Sequence, residues 1–588
     1  VAMTVIRLPE SLKRMPENVF AENRELKVIL SDASVPPAER TGAPEDCAVC
    51  VKPDALMEYE RVWDGQVRRI LGTSEAYTAT SDGMVMDAEG TGLLDIPADM
   101  ERLSLSYTVT SIGPEAAAGN GVLTRVSIPS RVREIGAGAF QDCTGLEEVT
   151  WSTSAPVPDS CFAGCTSLKT FGVPASTTNA GHSLKEIGRR AFYGCESLET
   201  VLYYSFTVDN GNYYYYGLLE RIGEEAFYGC SSMEYAYVHS TVKEVGARAF
   251  REAGVTKADW YTAAPVPDGC FESCGELTAF NVNGGGHRIA SIGDRAFYEC
   301  GQVATVLWYS YRGSDGKNYL YYPYLERIGD EAFYGCAAAT YAYLHTSVEQ
   351  VGAGAFQGSG LTQTDWYTSA RMPDSCFRDC VSLGTVGWGK SQITEMGERA
   401  FWGDAGLPAL AIPATVSGMG TEMFGGREGS PLTLTFLPAQ PPAWDGIKEL
   451  EGLQIYVPDS DKDMVYQSYL AAWGAWLGAH PEEILKTEGG AESRELPEEE
   501  KTPGLPEPGE EADEAEANEA EPSGADEGET DEAEPSGEDE GETDEAEPSG
   551  VDGEETDPPG GGDDEAEPFG ANEEEADLPE PGEDLTEK

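Results

Sequence analysis

Apolar and polar positions along this chain fall into a phrase that keeps returning. Its clearest copy is Ile222-Gly223-Glu224-Glu225-Ala226-Phe227-Tyr228-Gly229-Cys230. The pattern I-G-x-x-A-F-x-x-C also occupies residues 135–143, 187–195, 292–300 and 328–336, with looser copies at 245–250, 351–356 and 396–401. A phrase recurring every ~20–35 residues is the mark of a solenoid. Between copies lie short stretches in which apolar residues alternate, as in a strand with every second residue facing inward. Val201 and Tyr203, Ala236 and Val238, and Val306 and Trp308 are the expected inward residues. The Ile-Gly step predicts the turn to the opposite side, with Gly supplying φ > 0. Ala-Phe predicts a short helical turn, Ala allowing close stacking and Phe filling the core. One buried Phe contributes ~1.5–3 kcal/mol, and no repeat can bury its apolar face alone. The expected fold is an α/β solenoid with parallel strands on one face and short helices or turns opposite. Phe140, Phe192, Phe227, Phe250, Phe297, Phe333 and Phe356, with Cys195, Cys230, Cys300 and Cys336, form the predicted core.

A longer period overlies the short one. Residues 220–223 match 326–329, 106 positions on, and 259–262 match 365–368 at the same offset. Residues 266–271 likewise match 372–377, with an earlier copy at 157–162. Four-repeat cassettes are thus expected to have been duplicated as units. Two stretches differ: residues 50–63, and 455–473 with Tyr466, Tyr469 and Trp473. Each reads as a strand, a Pro-Asp helix start and a short helix with aromatic anchors, suited to closing the open end of a stacked core. The expected organisation is therefore a short repeat block with its closing unit at 1–70 and an atypical start of a second block at 71–120. The main solenoid follows at 121–440, a C-terminal closing unit at 441–485 and an acidic repeat tail at 486–588.

Composition sharpens the last boundary. Net charge is −66, and most of it lies in residues 491–588, where Arg494, Lys501 and Lys588 are the only bases. There the segment 518–524 returns at 531–537 and 544–550, and Phe569 is the only aromatic residue. Such a segment cannot bury enough apolar surface to offset ordering entropy, so disorder is expected. The acidity excludes nucleic acid as a partner, because phosphate contacts need Lys and Arg. No apolar run of ~20 residues predicts a membrane span. The start, Val1-Ala2-Met3-Thr4, lacks a basic segment leading into an apolar core, so no signal peptide is read there. Residues 6–12 already look like repeat, as in a chain that starts inside a longer reading frame.

The fuller pattern I-G-x-x-A-F-x-x-C-x-x-L-x-x-V-x-I-P, with Leu146-Glu147-Glu148-Val149 and Val126-Ser127-Ile128-Pro129 as its strand half, resembles the BspA-type leucine-rich repeats of bacterial surface proteins. The resemblance covers residues 5–30 and 95–440. It implies a right-handed leucine-rich-repeat coil, an extracellular or cell-surface location and a binding or adhesive role. Strands such as Tyr235-Ala236-Tyr237-Val238-His239 depart from the pattern by lacking Ile-Pro and carrying Tyr.

Candidate chemistry is sparse. Of 13 cysteines, Cys143, Cys165, Cys195, Cys230, Cys274, Cys300, Cys336 and Cys380 stand three residues after the repeat Phe. Cys161, Cys270 and Cys376 replace the Ala before it. Equivalent placement argues for small buried structural thiols over disulfides or a metal. Zinc wants four converging ligands, and Cys47–Cys50 is the only C-x-x-C. No cofactor is expected. No nucleophile motif such as G-x-S-x-G occurs, no carboxylate pair stands out for acid–base work, and residues 461–463 are too sparse for a calcium loop.

Outward strand positions carry the best functional candidates. Tyr235, Tyr237 and His239, with their counterparts Tyr341, Tyr343 and His345, are expected to point out from the strand face. Asp259, Tyr261, Asp365 and Tyr367 would join them, with Tyr204 and Tyr309 as neighbours. Exposed Tyr offers contact area and a hydrogen-bonding tip at low entropy cost, which suits a protein or glycan ligand. The same residues could instead form a ladder that stabilises the sheet by neighbour contacts, and both can hold together. Residues 213–216 and 319–324 are expected to form edge loops beside this face. The function read from sequence is a non-catalytic binding module. A purely structural spacer and the non-catalytic remainder of a larger enzyme are the alternatives. Oligomeric state and ligand are not legible.

Overall fold

The computed structural model describes residues 3–487, apart from positions within 73–76, 173–183, 200–217, 283–287, 305–321, 428, 445–461 and 478–484. The tail expected at 486–588 thus lies almost wholly outside the described residues, as do Tyr203, Tyr204, Val306, Trp308 and Tyr309. The rest is a solenoid of parallel strands with about 18 turns and few helices.

One wall is built from four-residue strands paired in parallel and in register. Arg125–Ile128 pairs with Glu148–Trp151, Tyr235–Val238 with Lys257–Trp260 and then Ala279–Val282, and Tyr341–Leu344 with Gln363–Trp366. Their second and fourth residues (Ala236 and Val238, Ala258 and Trp260) face the core and are buried. Val201 is buried as expected, whereas Leu307, between the expected inward residues Val306 and Trp308, is itself fully buried. A second, narrow wall consists of two-residue parallel strands at the Ile-Gly steps, such as Glu186–Ile187, Arg221–Ile222 and Glu244–Val245.

Between the walls the repeat phenylalanines stack. Phe140, Phe162, Phe192, Phe227, Phe250, Phe271, Phe297, Phe333, Phe356, Phe377, Phe401 and Phe424 make one file, each ring 5.3–5.8 Å from the next and within 17° of parallel. Beside them the Sγ of Cys165, Cys195, Cys230, Cys274, Cys300, Cys336 and Cys380 donates to the carbonyl of the Phe one coil earlier, at 3.0–3.3 Å. All 13 cysteines are buried and free. Burial pushes the thiols of Cys47 and Cys274 up to about 12, and that of Cys195 well above the usual range.

Two local expectations are corrected. The Ala-Phe segments are turns, not helical turns. Their alternate amides bond the next coil: Arg190 N to Glu224 O, Phe192 N to Ala226 O and Gly194 N to Tyr228 O, each at 2.8 Å. Donors spent between coils cannot close i→i−4 bonds. The Gly of Ile-Gly does not adopt positive φ either. A Cβ on Gly223 would lie 2.5 Å from Arg189 N and 2.5 Å from Gly188 C, so glycine is required by the close approach of successive coils. Positive φ falls two residues later, at Arg190, Glu225 and Arg295 (54–55°).

Helices occur at Leu56–Trp63 and Lys462–Leu477. Tyr59 and Trp63 pack edge-to-face at 5.0 Å, and Tyr469 and Trp473 repeat the arrangement at 4.7 Å. The Tyr59 hydroxyl meets Ser31 Oγ at 2.6 Å, and the Tyr469 hydroxyl donates to Pro438 O at 2.8 Å. The same i, i+4 spacing puts both rings of each pair on one helix face. Antiparallel hairpins, Phe206–Val208 with Gly211–Tyr213 and Ser310–Arg312 with Asn318–Leu320, overlap the expected edge loops at 213 and 319–320, while 214–216 and 321 lie outside the described residues. No described helix is long and apolar enough to cross a membrane.

Candidate functional site

Because residues alternate across a strand, the first and third positions of each four-residue strand line its outer face. In the strands from Tyr235 to Val282 those positions are Tyr235, Tyr237, Lys257, Asp259, Ala279 and Asn281. Parallel in-register pairing sets Tyr235 beside Lys257 and Tyr237 beside Asp259, with Asn281 on the next coil. The Tyr235 hydroxyl donates to Asp259 Oδ2 at 2.6 Å, and Asn281 Nδ2 donates to Asp259 Oδ1 at 2.8 Å. Lys257 Nζ stands 3.1 Å from Asp259 Oδ2 and 5.4 Å over the Tyr235 ring. The Tyr237 ring packs 5.1 Å from Tyr261 and 6.0 Å from His239.

The expectation of an exposed row is corrected at two of these residues. Tyr237 is 6% exposed and Asp259 7%. They do lie on the outer face, but neighbouring side chains cover them. Tyr235, His239 and Tyr261 remain half-buried.

The counterpart site repeats the frame. The Tyr341 hydroxyl donates to Asp365 Oδ2 at 2.7 Å, and the Tyr343 ring lies 5.3 Å from Tyr367 and 6.2 Å from His345. Here Tyr341, Tyr343, His345, Asp365 and Tyr367 are all half-buried. Burial, and then the bond to Asp365, raises the Tyr341 phenol well above its ordinary range, and Tyr235 behaves alike toward Asp259. Both tyrosines therefore stay protonated donors. Both histidines turn their Nδ1 back to the chain: it accepts from the backbone N–H of Thr241 in one copy and of Ser347 in the other, at 3.2 and 3.1 Å. Burial lowers the His345 imidazole. The histidines thus anchor the turn that ends each strand.

Sequence reasoning overlooked Lys257 and Asn281, which complete the first carboxylate's shell, and Gly387 and Gly389, which flank the second. The signal was present in the 106-residue offset, which aligns Lys257 with Gln363 and Asn281 with Gly387. It also overlooked a second aromatic pairing on the turn side. Tyr193 stacks on Tyr228 at 4.7 Å and Tyr298 on Tyr334 at 4.6 Å, with the Arg295 guanidinium 3.8 Å over Tyr298. Among the described residues no group of three or more His, Cys, Asp or Glu is placed to hold a metal ion.

The model of the BspA-type leucine-rich repeat region, in six copies, matches residues 97–218, 216–321 and 309–429, more than half of the chain. Among solved structures, a leucine-rich repeat protein from Bacteroides ovatus is 21% identical, with 67% of this chain and 95% of that one covered and a TM-score of 0.44. A leucine-rich cell surface protein from Faecalibacterium prausnitzii is 20% identical, covering 67% and 98%, with a TM-score of 0.33. The pneumococcal vaccine antigen PcpA is 15% identical, covering 68% and 96%, with a TM-score of 0.32. No curated protein matches the chain.

Proposed function

The chain belongs to the BspA-type leucine-rich repeat family, and from that premise we propose that it is a non-catalytic binding module displayed outside a bacterial cell. Its ligand, a protein or a glycan, lies across the outer strand face. The observation carrying this reading is the constellation of a carboxylate, a donor Tyr and two packed Tyr rings, built twice in the same register. Rigid rings and a fixed acceptor present a pre-organised surface, so little side-chain entropy is lost on contact. The thiols turn inward to backbone carbonyls, which fits binding better than nucleophilic chemistry.

The stabilising ladder is the second reading, and the cover over Tyr237 and Asp259 favours it for the first copy. The half-buried second copy favours binding. Replacing Tyr341 and Tyr367 by Ala should abolish capture of protein or glycan ligands on an array while circular dichroism stays unchanged. A spacer would show no saturable ligand, and unchanged capture by the double variant would remove this surface from consideration.

A further inference from the structure

The two copies of the outer-face constellation differ at the places that complete the carboxylate. Asp259 accepts from Tyr235 and from the Asn281 amide, and forms an ion pair with the Lys257 ammonium, which also stands over the Tyr235 ring. At the aligned places the second copy has Gln363 for Lys257 and Gly387 for Asn281. Asp365 keeps Tyr341, which among the described residues is its only side-chain donor. Its Oδ1 leans over Gly387, where a Cβ would come within 2.2 Å. Next to it the Tyr367 ring lies over Gly389, 2.4 Å from where a Cβ would stand. Among the described residues, the cation and the amide that close the first copy thus have no counterpart in the second, while the carboxylate, the donor Tyr and the aromatic walls are retained.

We infer that Asp365, walled by Tyr341, Tyr343 and Tyr367, receives an arginine side chain from a basic partner protein. The first copy shows what the frame holds, because there the chain supplies its own cation to the same carboxylate and ring. Two features favour guanidinium over ammonium in the second copy. The Oδ1 side has no counterpart of the Asn281 amide and the Oδ2 side, which keeps Tyr341, has none of the Lys257 ammonium, and a planar fork bonds both oxygens of a carboxylate at once. Guanidinium also stacks on aromatic faces and is weakly hydrated, which suits a half-buried carboxylate among half-buried Tyr rings. The chain's charge of −66 steers a basic protein toward it. This inference rests on the proposed binding role of the strand face and names its partner class.

The test uses the full chain at about 0.5 M NaCl, where exposed charges are screened beyond ~4 Å, so that the acidic tail contributes little. The probe is acetyl-Gly-Arg-Gly-amide, followed by saturation-transfer NMR, with the citrulline peptide as the uncharged control. The arginine peptide should bind at least tenfold more tightly than the control. Installing the first copy's closures, Gln363→Lys with Gly387→Asn, should weaken it at least tenfold. Opening the first copy, Lys257→Gln with Asn281→Gly, should add a second equivalent site. Binding that is the same in wild type and the closed variant, or no added site in the opened one, overturns the inference. A glycan or neutral protein lost on Tyr341→Ala/Tyr367→Ala but retained in the closed variant overturns it too, and leaves the binding role standing. If no ligand responds to either set, both fall.

Discussion

Replacing Gly223 by Ala tests whether coil-to-coil contact is what stabilises the molecule. The new Cβ would stand 2.5 Å from Arg189 N, 2.5 Å from Gly188 C and 2.7 Å from Gly188 O, all backbone atoms of the preceding coil. Ordinary contact needs about 3.5–4 Å, so the two coils must part by roughly 1 Å. That motion stretches the bonds from Gly223 N to Ile187 O and from Arg190 N to Glu224 O, both 2.8 Å. Two weakened hydrogen bonds cost about 1 kcal/mol each, and overpacking adds about 1–3 kcal/mol. The expected loss is about 3–5 kcal/mol. Gly301 is the control, because nothing lies within 4 Å of its Cβ position and its φ is not positive. Ala there should be neutral, or stabilising by up to about 1 kcal/mol through the unfolded chain. Gly194, at φ +68° with open space around it, should lose only about 1–2 kcal/mol, the cost of a left-handed backbone. Urea unfolding followed by tryptophan fluorescence ranks the three, and hydrogen exchange at Arg190 N, bonded to Glu224 O across the strained contact, reports the local opening. If Gly223→Ala is no more damaging than Gly301→Ala, the close-approach explanation is wrong.

Three further outcomes follow from the core. Phe227→Ala removes a fully buried ring stacked between Phe192 and Phe250; it should cost about 3–5 kcal/mol and, because each coil contacts only its neighbours, raise hydrogen exchange in the adjoining coils before distant ones. All 13 cysteines are buried and only thiolate reacts with an alkylating agent, so mass spectrometry should find none modified in the native protein and 13 after denaturation. Asp404 takes the place of the repeat Cys, fully buried, and burial pushes its carboxyl up from 3.8 to about 9, with nearby Arg427 pulling the other way. Between those values the unfolded chain holds fewer protons than the folded one, so this group lowers stability as pH rises from about 4 to about 9. Asp404→Asn should therefore match wild type in urea midpoint near pH 4 and exceed it increasingly toward pH 8; a difference that stays constant with pH would refute this.

Periodicity alone established the stacked coils, the inward Ala236 and Val238, and the single file of phenylalanines. Each of these depends on which residues recur at a fixed offset, and recurrence is written in one dimension. What the Gly of Ile-Gly is for could not be read there, since turn and close approach demand the same residue. Only the position of Gly188, 35 residues upstream in the chain, shows that contact decides. The covering of Tyr237 and Asp259 was likewise invisible, because alternation assigns a side of the strand and says nothing of how tall the neighbouring side chains are. Whether a carboxylate on the outer face is closed, as Asp259 is by Lys257 and Asn281, or open, as Asp365 is beside Gly387, depends on residues brought alongside from other coils. Such neighbours meet only when the chain winds back on itself, at distances set by the coil and not by the sequence between them.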